Sequence, residues 1–345
     1  MTIQVSTSSL FSIPRNAVVD LQSQIAKAET EVSTGQLADP AESLGSQLGL
    51  DETLQAQSAN LGNIQSSNAI VQSSLSASQE ALTQIASDAQ TFENAIVTAQ
   101  SSGDVSTLPA QAQSLLSSLT SSLNTTSGGA YVFGGTNSTV KPIADYSQGP
   151  QAATAAAFQT AFGMSQSSPQ VNTISAASMQ TFLTGAFANL FQGASWSTNW
   201  SQASSTRTSA LISPANVVTT SVTANESAFQ DLANAYTSIA DLAIGNLGAT
   251  TQQAVLSNAL SEAGAAQQGI TGLQTTLGIS QSQITNSNSQ MQTQASLIDN
   301  WVTKLGGVDS YQAASTLTNL TTQLETAYSL TDRISKLSLV NYLTA

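Results

Sequence analysis

The sequence predicts a mainly α fold: long antiparallel coiled helices from both chain ends form a rod, with an inserted mixed α+β outer domain in the middle. Three observations predict it. Apolar residues recur at alternating spacings of three and four along two very long stretches, one in each half of the chain. Between them, over residues 139–222, that period is lost, and Trp196, Trp200, Pro142, Pro150, Pro169 and Pro214 gather. The change is marked by Ser127-Gly128-Gly129-Ala130-Tyr131-Val132-Phe133-Gly134-Gly135-Thr136-Asn137, where two glycine pairs bracket a short aromatic run.

Residues 1–15 are polar and weakly patterned, with too few apolar positions to fold alone. Val18, Leu21, Ile25, Ala28 and Val32 then step by three and four, a short heptad seam that Gly35 and Asp39-Pro40 interrupt. The next seam is far longer. Leu61, Ile64, Asn68, Val71, Leu75, Ser78, Leu82, Ile85, Ala89, Phe92 and Ile96 keep one register, predicting a helix of about 55 Å at 1.5 Å per residue. Its polar members, Asn68 and Ser78, are read as register-fixing residues. Ser101-Ser102-Gly103 ends it, and a third helix carries Leu108, Ala112, Leu115, Leu119 and Leu123 after Pro109 in its first turn.

Glycine pairs supply the positive φ of tight turns, and a β-branched residue between two aromatics suits a short strand, so Tyr131–Phe133 reads as one. Short helices are expected near 152–163 and 178–191, and a strand over 212–222. Asn225 is the expected N-cap of a helix bearing Phe229, Leu232, Tyr236, Ile239 and Ala243. After Gly245 and Gly248 comes the longest seam, including Leu256, Ile270, Leu273, Leu277, Ile284, Met291, Ile298, Trp301 and Leu305, with Ser280, Ser287 and Gln294 among its polar positions. Beyond Gly306-Gly307, a last helix presents Leu317, Leu320, Leu324, Ala327, Ile334 and Leu337. Pairing the two long seams buries both and returns both chain ends to one end of the rod, with Tyr131 and Phe133 plugging the other end beneath the outer domain. The expected division is 1–40 and 309–345 as assembly segments, 41–126 and 223–308 as the arms of the rod, and 127–222 as turn, short strands and outer domain.

Composition narrows the function. Only 8% of the 345 residues are charged, against about 25% in ordinary globular chains. Faces of Ser, Thr, Gln, Asn and Ala pack against other copies without the desolvation cost of charges, which favours an assembly subunit over a free two-stranded coiled coil. Net charge is −13 and the seven basic residues are scattered, so nucleic acid and membrane surfaces are poor partners. Cysteine and histidine are absent. That removes disulfides, thiol nucleophiles, imidazole bases and the common zinc ligand sets, and no cofactor or metal is expected. Asp51-Glu52 is the closest acidic pair and reads as a solvated helix start near Leu54. The four glycines at 128, 129, 134 and 135 lack the Lys-Ser/Thr of a P-loop and the spacing of a dinucleotide fingerprint. No catalytic set is expected, so the chain reads as a non-enzyme. Residues 1–20 show no signal-peptide pattern, and no run approaches the length of a membrane span.

Several motifs resemble one family. Glu31-Val32-Ser33-Thr34-Gly35-Gln36-Leu37-Ala38-Asp39-Pro40 is similar to the end of the first helix in bacterial flagellins. Residues 127–137, followed by Pro142-Ile143 and Asp145-Tyr146, resemble the Gly-x-Tyr-x-Phe-Gly-Gly-Thr segment of flagellin relatives at the hook–filament junction, the third hook-associated proteins. Leu190-Phe191 with Trp196, and residues 224–229, also look like junction-protein sequence. The close, Ser338-Leu339-Val340-Asn341-Tyr342-Leu343, is similar to that group's Ser-Leu-Leu-Asp-Tyr-Leu. The resemblance covers roughly 15–146 and 188–345; residues 147–187 match nothing in it.

The resemblance implies a structural subunit of the flagellum that forms the junction between hook and filament on which flagellin polymerises. It implies export without a cleaved signal through the flagellar type III apparatus to the extracellular flagellum. The implied partners are copies of itself in a ring, the hook-side hook-associated protein, flagellin and a cytosolic export chaperone. It implies that the terminal segments become helical on assembly. The alternatives are flagellin itself, as filament subunit, or a secreted coiled-coil adhesin or effector.

Overall fold

A computed structural model describes residues 7–343, with side chains for residue 13 and residues 15–333. The chain runs α1 (Thr7–Thr34), α2 (Pro40–Leu44), α3 (Leu48–Ser102), α4 (Leu108–Leu123), then a hairpin of β1 (Thr126–Ser127) and β2 (Ala130–Tyr131). It continues through α5 (Pro150–Phe162), α6 (Ala176–Phe182) and α7 (Gly193–Asn199) to a second hairpin, β3 (Ser209–Ser213) and β4 (Asn216–Thr219). Three helices complete it: α8 (Ser227–Asp241), α9 (Ala249–Gly306) and α10 (Ser310–Leu343). The fold is mainly α, and among the described residues its sheets are the two small hairpins. The chain divides into two compact units. A terminal unit comprises residues 1–63 and 291–345, and a middle unit residues 64–290.

In the terminal unit, α1 stops at Gly35, whose φ of +68° favours glycine and whose N–H closes on Glu31 O at 2.9 Å. Asp39 then starts α2 by accepting from Glu42 N at 3.1 Å, with Pro40 in the first turn, where a missing N–H costs nothing. Asp309 does the same for α10, accepting from Tyr311 N and Gln312 N at 2.8 and 3.2 Å. These two turns meet. Leu37 N donates to Gly306 O, and Val308 N to Gly35 O, both at 2.9 Å, around an antiparallel bridge between Gln36 and Gly307. From there α1 and α10 pack antiparallel, with Gln22 Nε2 donating to Tyr328 Oη at 2.9 Å.

In the middle unit, α3 and α9 run antiparallel, because partner numbers fall along α9 as they rise along α3. Gln65 Nε2 reaches Asn288 O at 3.3 Å, Gln72 Nε2 reaches Thr285 Oγ1 at 3.2 Å, and Gln79 Nε2 reaches Gln274 O at 2.7 Å. Between these polar edges the seams are buried, with Leu75, Leu82, Ile85, Phe92 and Ile96 on one side and Ile270, Leu277 and Ile284 on the other. Helix α4 packs on α8. Helix α8 approaches α9 so closely that a Cβ on Gly269 would lie 2.7 Å from Ala228 Cβ. Beyond them, Phe158, Phe182, Phe187, Phe191 and Trp200 form an unbroken chain of ring contacts that ends with Trp200 stacked on Trp196 at 5.4 Å. This aromatic core holds the short helices together where periodicity fails.

The structure corrects several expectations. Residues 212–222 are not one strand: Pro214-Ala215 turns the chain between β3 and β4, and Thr220 to Val222 lie beyond the ladder. Asn225 does not cap α8, because its amide is engaged elsewhere: Oδ1 accepts from Trp196 Nε1 and Ser201 Oγ, and Nδ2 donates to Ala203 O. The cap position falls to Glu226. Ala243 lies past the end of α8 with a φ of +53°. The strand expected over 131–133 is confined to Ala130–Tyr131. Asp51 is not part of a solvated helix start. Helix α3 begins three residues earlier, and Asp51 is only 4% exposed.

Candidate assembly interface

The terminal unit carries its seam on too few helices to cover it. Val18, Leu21 and Ile25 on α1, and Leu317, Leu320 and Leu324 on α10, are only half-buried; Ala28 and Ala313 are buried fully. Larger apolar side chains stand outside the pairing altogether. Tyr311 is 87% exposed, and Ile13, Leu297, Trp301 and Leu330 are each more than half exposed. Singly exposed apolar residues are normal, but this many on one helical unit leave apolar area that a neighbour could cover. Leu339, Tyr342 and Leu343 lie in α10, and their side chains fall outside the described residues.

The polar remainder of α10 suits close packing. Thr318, Thr321, Thr322 and Thr326 each donate to the carbonyl four residues earlier, at 2.8 to 3.0 Å. A hydroxyl satisfied by its own helix leaves a methyl group for the neighbour and no unpaired donor to bury. Ion pairs are sparse and exposed. Lys27 bonds Glu42 and lies near Asp39, and the bond to Glu42 holds its ammonium above the usual lysine range.

The remaining seam residues lie where two helices do cover one another. Leu61, Leu75, Leu82, Ile85, Ile270, Leu277 and Ile284 are buried, while Ile64 and Leu273 are half-buried. Asn68, read from sequence as a register-fixing residue, and Ser280, a polar position of the longest seam, hold the second hairpin. Asn68 Nδ2 donates to Ile212 O at 2.9 Å and to Asn288 Oδ1 at 2.7 Å, and Ser280 Oγ donates to Thr219 O at 2.8 Å. Ser78 has no such role, since its hydroxyl bonds Ser74 O in its own helix. Polar residues facing an otherwise apolar seam were the only sequence signal for this anchoring.

The glycine–aromatic segment is a clasp in the middle unit. Gly128 and Gly129, at φ +58° and +83°, form the two-residue turn between β1 and β2, the geometry a right-twisted hairpin prefers. Val132 and Phe133 then turn inward. Phe133 is fully buried, edge-on to Phe229 at 5.8 Å, whereas Tyr131 is half-buried. Gly135 sits under the segment 204–206: a Cβ there would lie 2.5 Å from Ser204 O and 2.7 Å from Thr206 O. Ser204 N donates to Gly134 O, Thr136 N to Thr206 O, and Ala224 N to Phe133 O. The segment therefore ties β2 to the chain on both sides of the second hairpin. Arg207 braces the same region through a two-pronged pair with Glu226.

Burial also marks the titrating groups of the middle unit. Tyr146, which donates to Asp241, and Tyr236, which lies against Phe92 edge-on at 4.8 Å, are both pushed well above the usual phenol range, chiefly by burial. Burial raises Asp231, Glu93 and Glu262, the last also through the nearby Asp231. None of these is arranged as a nucleophile with its base. Among the described residues, no three His, Cys, Asp or Glu side chains come together as metal ligands, and no helix is long and apolar enough to cross a membrane.

Comparison with known proteins places these elements. Residues 5–138 match the bacterial flagellin N-terminal helical region, and residues 260–343 match the bacterial flagellin C-terminal helical region. Together the two matches account for well over half of the chain. A solved chain from Vibrio parahaemolyticus, provisionally named a flagellar hook-associated protein, shares the fold with a TM-score of 0.53 at 11% identity, over 76% of this chain and 99% of that one. No curated protein matches the sequence.

Proposed function

Because the chain belongs to the bacterial flagellin family and is a structural component of the flagellum, we propose that it forms the junction between hook and filament on which flagellin polymerises. The observation that carries the assembly reading is the half-buried seam of α1 and α10, with Trp301 and Tyr311 exposed beside it. Two helices that leave a seam half-covered gain by packing into a larger bundle. Copies of the chain in a ring supply that bundle, with segments 1–40 and 309–345 as its contacts. Segments 41–126 and 223–308 are the supporting arms, and 127–222 the outward-facing part.

The junction rather than filament role rests on the clasp at 127–137 and on the closing residues 338–343, which resemble junction proteins. The likeness to a chain named as hook-associated agrees with it. In this reading the hook-side hook-associated protein and flagellin are the axial partners. A cytosolic chaperone holds the C-terminal segment before export without a cleaved signal.

Deleting the gene tests it. The expected phenotype is intact hooks, missing filaments and flagellin shed into the medium. Filaments that persist but lose one abundant component identify a flagellin instead. Normal flagella would overturn the flagellar reading altogether.

A further inference from the structure

The terminal unit contains a pocket of about 200 Å³ where the α1–α2 and α9–α10 turns meet, walled by Thr34, Gln36, Gln55, Thr303 and Gly306 among others. Asp51 is the only charged residue in that wall. It is 4% exposed; its Oδ2 accepts from Gln55 Nε2 at 2.8 Å, and its Oδ1 is buried with no protein partner. A carboxylate oxygen taken from water without a partner is costly, so a second group is needed beside it. Space for that group is present. A Cβ built on Gly306 would meet nothing closer than Asp51 Oδ1, at 4.0 Å.

We propose that this pocket binds a hard, oxygen-liking metal cation against Asp51 Oδ1, of the calcium or alkali type. The wall supplies the right chemistry: one carboxylate, the Thr34 and Thr303 hydroxyls, and the Gln55 and Gln36 amide oxygens, with no sulfur or imidazole to favour a softer metal. A single negative charge sets a weak affinity, in the millimolar range of low-charge calcium sites. The consequence is mechanical. The pocket borders the Leu37–Gly306 and Val308–Gly35 hydrogen bonds, so a bound cation ties the two turns together and fixes where α1 and α10 leave them. The inference concerns the terminal unit itself and stands whether the chain is a junction or a filament subunit.

The test uses the full chain at constant ionic strength, with tetramethylammonium chloride as the inert reference. Millimolar CaCl2, KCl and NaCl are added in separate arms, followed by thermal unfolding and by hydrogen exchange at the Leu37 and Val308 amides. The expected result is a raised midpoint and slowed exchange in one arm, which also identifies the cation. Asp51→Asn should weaken that response by more than about tenfold. Gly306→Ala, which adds only a methyl group to a helical position, should weaken it too while keeping the fold. Wild type indistinguishable from the tetramethylammonium reference in every arm would overturn the proposal. So would an equal response in wild type and in both variants. A midpoint that depends on protein concentration but not on cation would assign Asp51 Oδ1 to a basic side chain of a second copy instead.

Discussion

Leu21 on α1 and Leu82 on α3 occupy the same kind of seam position, yet Leu82 is fully buried and Leu21 is not. The difference lies in what surrounds each helix. In the middle unit, α3 faces α9, with α4, α8 and the β3–β4 hairpin in the same fold, and Phe92 meets Tyr236 of α8 edge-on. In the terminal unit, α1 and α10 have one another for most of their length. A heptad pattern therefore states that a face wants covering and leaves open whether its own chain covers it. The middle unit is finished by its own chain. The terminal unit leaves its seam half-covered, and in the proposed assembly neighbouring copies complete it.

The largest effect should come from deleting a ring in the middle unit. Phe92→Ala removes a fully buried side chain and its edge contact, costing about 3–5 kcal/mol in urea unfolding. Leu21→Ala, at a half-buried position, should cost about 1 kcal/mol in the monomer. Its effect on polymer formation should be far larger than on monomer stability. Equal monomer losses at the two sites would mean that the terminal unit is already complete.

Next comes the clasp. Gly128→Ala imposes only the strain of a positive φ, about 1 kcal/mol. Gly135→Ala imposes the same strain and drives a methyl group into two backbone carbonyls, adding about 1–3 kcal/mol. Thermal midpoints of the two variants measure the difference, and parity between them would remove Gly135 from its tight site under residues 204–206. Asn68→Ala should follow at about 1–3 kcal/mol, because it strands the Ile212 carbonyl. Faster hydrogen exchange confined to β3 and β4 would separate this anchoring loss from a general loosening of the seam.

The helices and their ends were legible because each rests on local chemistry. Gly35, Ser102-Gly103 and Gly306-Gly307 end helices, and Pro109 lies in a first turn, as the residues themselves require. The antiparallel pairing followed from two long seams, each without a partner in its own half of the chain. What was not legible depended on contacts between distant residues. Asn225 is a good N-cap residue in isolation, but Trp196 and Ser201, more than twenty positions away, claim its side chain. Asp51 looked solvated because it pairs with Glu52 at the start of a helix, whereas in the fold it lies beside Gly306 and is only 4% exposed. Asn68 was recognised as a polar seam residue, but its hairpin partner lies 144 residues along the chain.

The smallest expected effect is a pH dependence that belongs to the middle unit. Asp231, Glu262 and Glu93 have their protonation raised above the ordinary carboxylate range, chiefly by burial. The native state thus holds protons at a pH where the unfolded chain has released them. Stability must then fall as pH rises through the raised values, and recover as pH falls back towards the ordinary carboxylate range. The midpoint of middle-unit unfolding should rise modestly on going from neutral pH towards about pH 5. Asp231→Asn should flatten that slope twice over, by removing one buried acid and relieving the repulsion that raises Glu262. A slope of the opposite sign would mean that these carboxyls gain partners on folding, and that the middle unit is stabilised by charge rather than in spite of it.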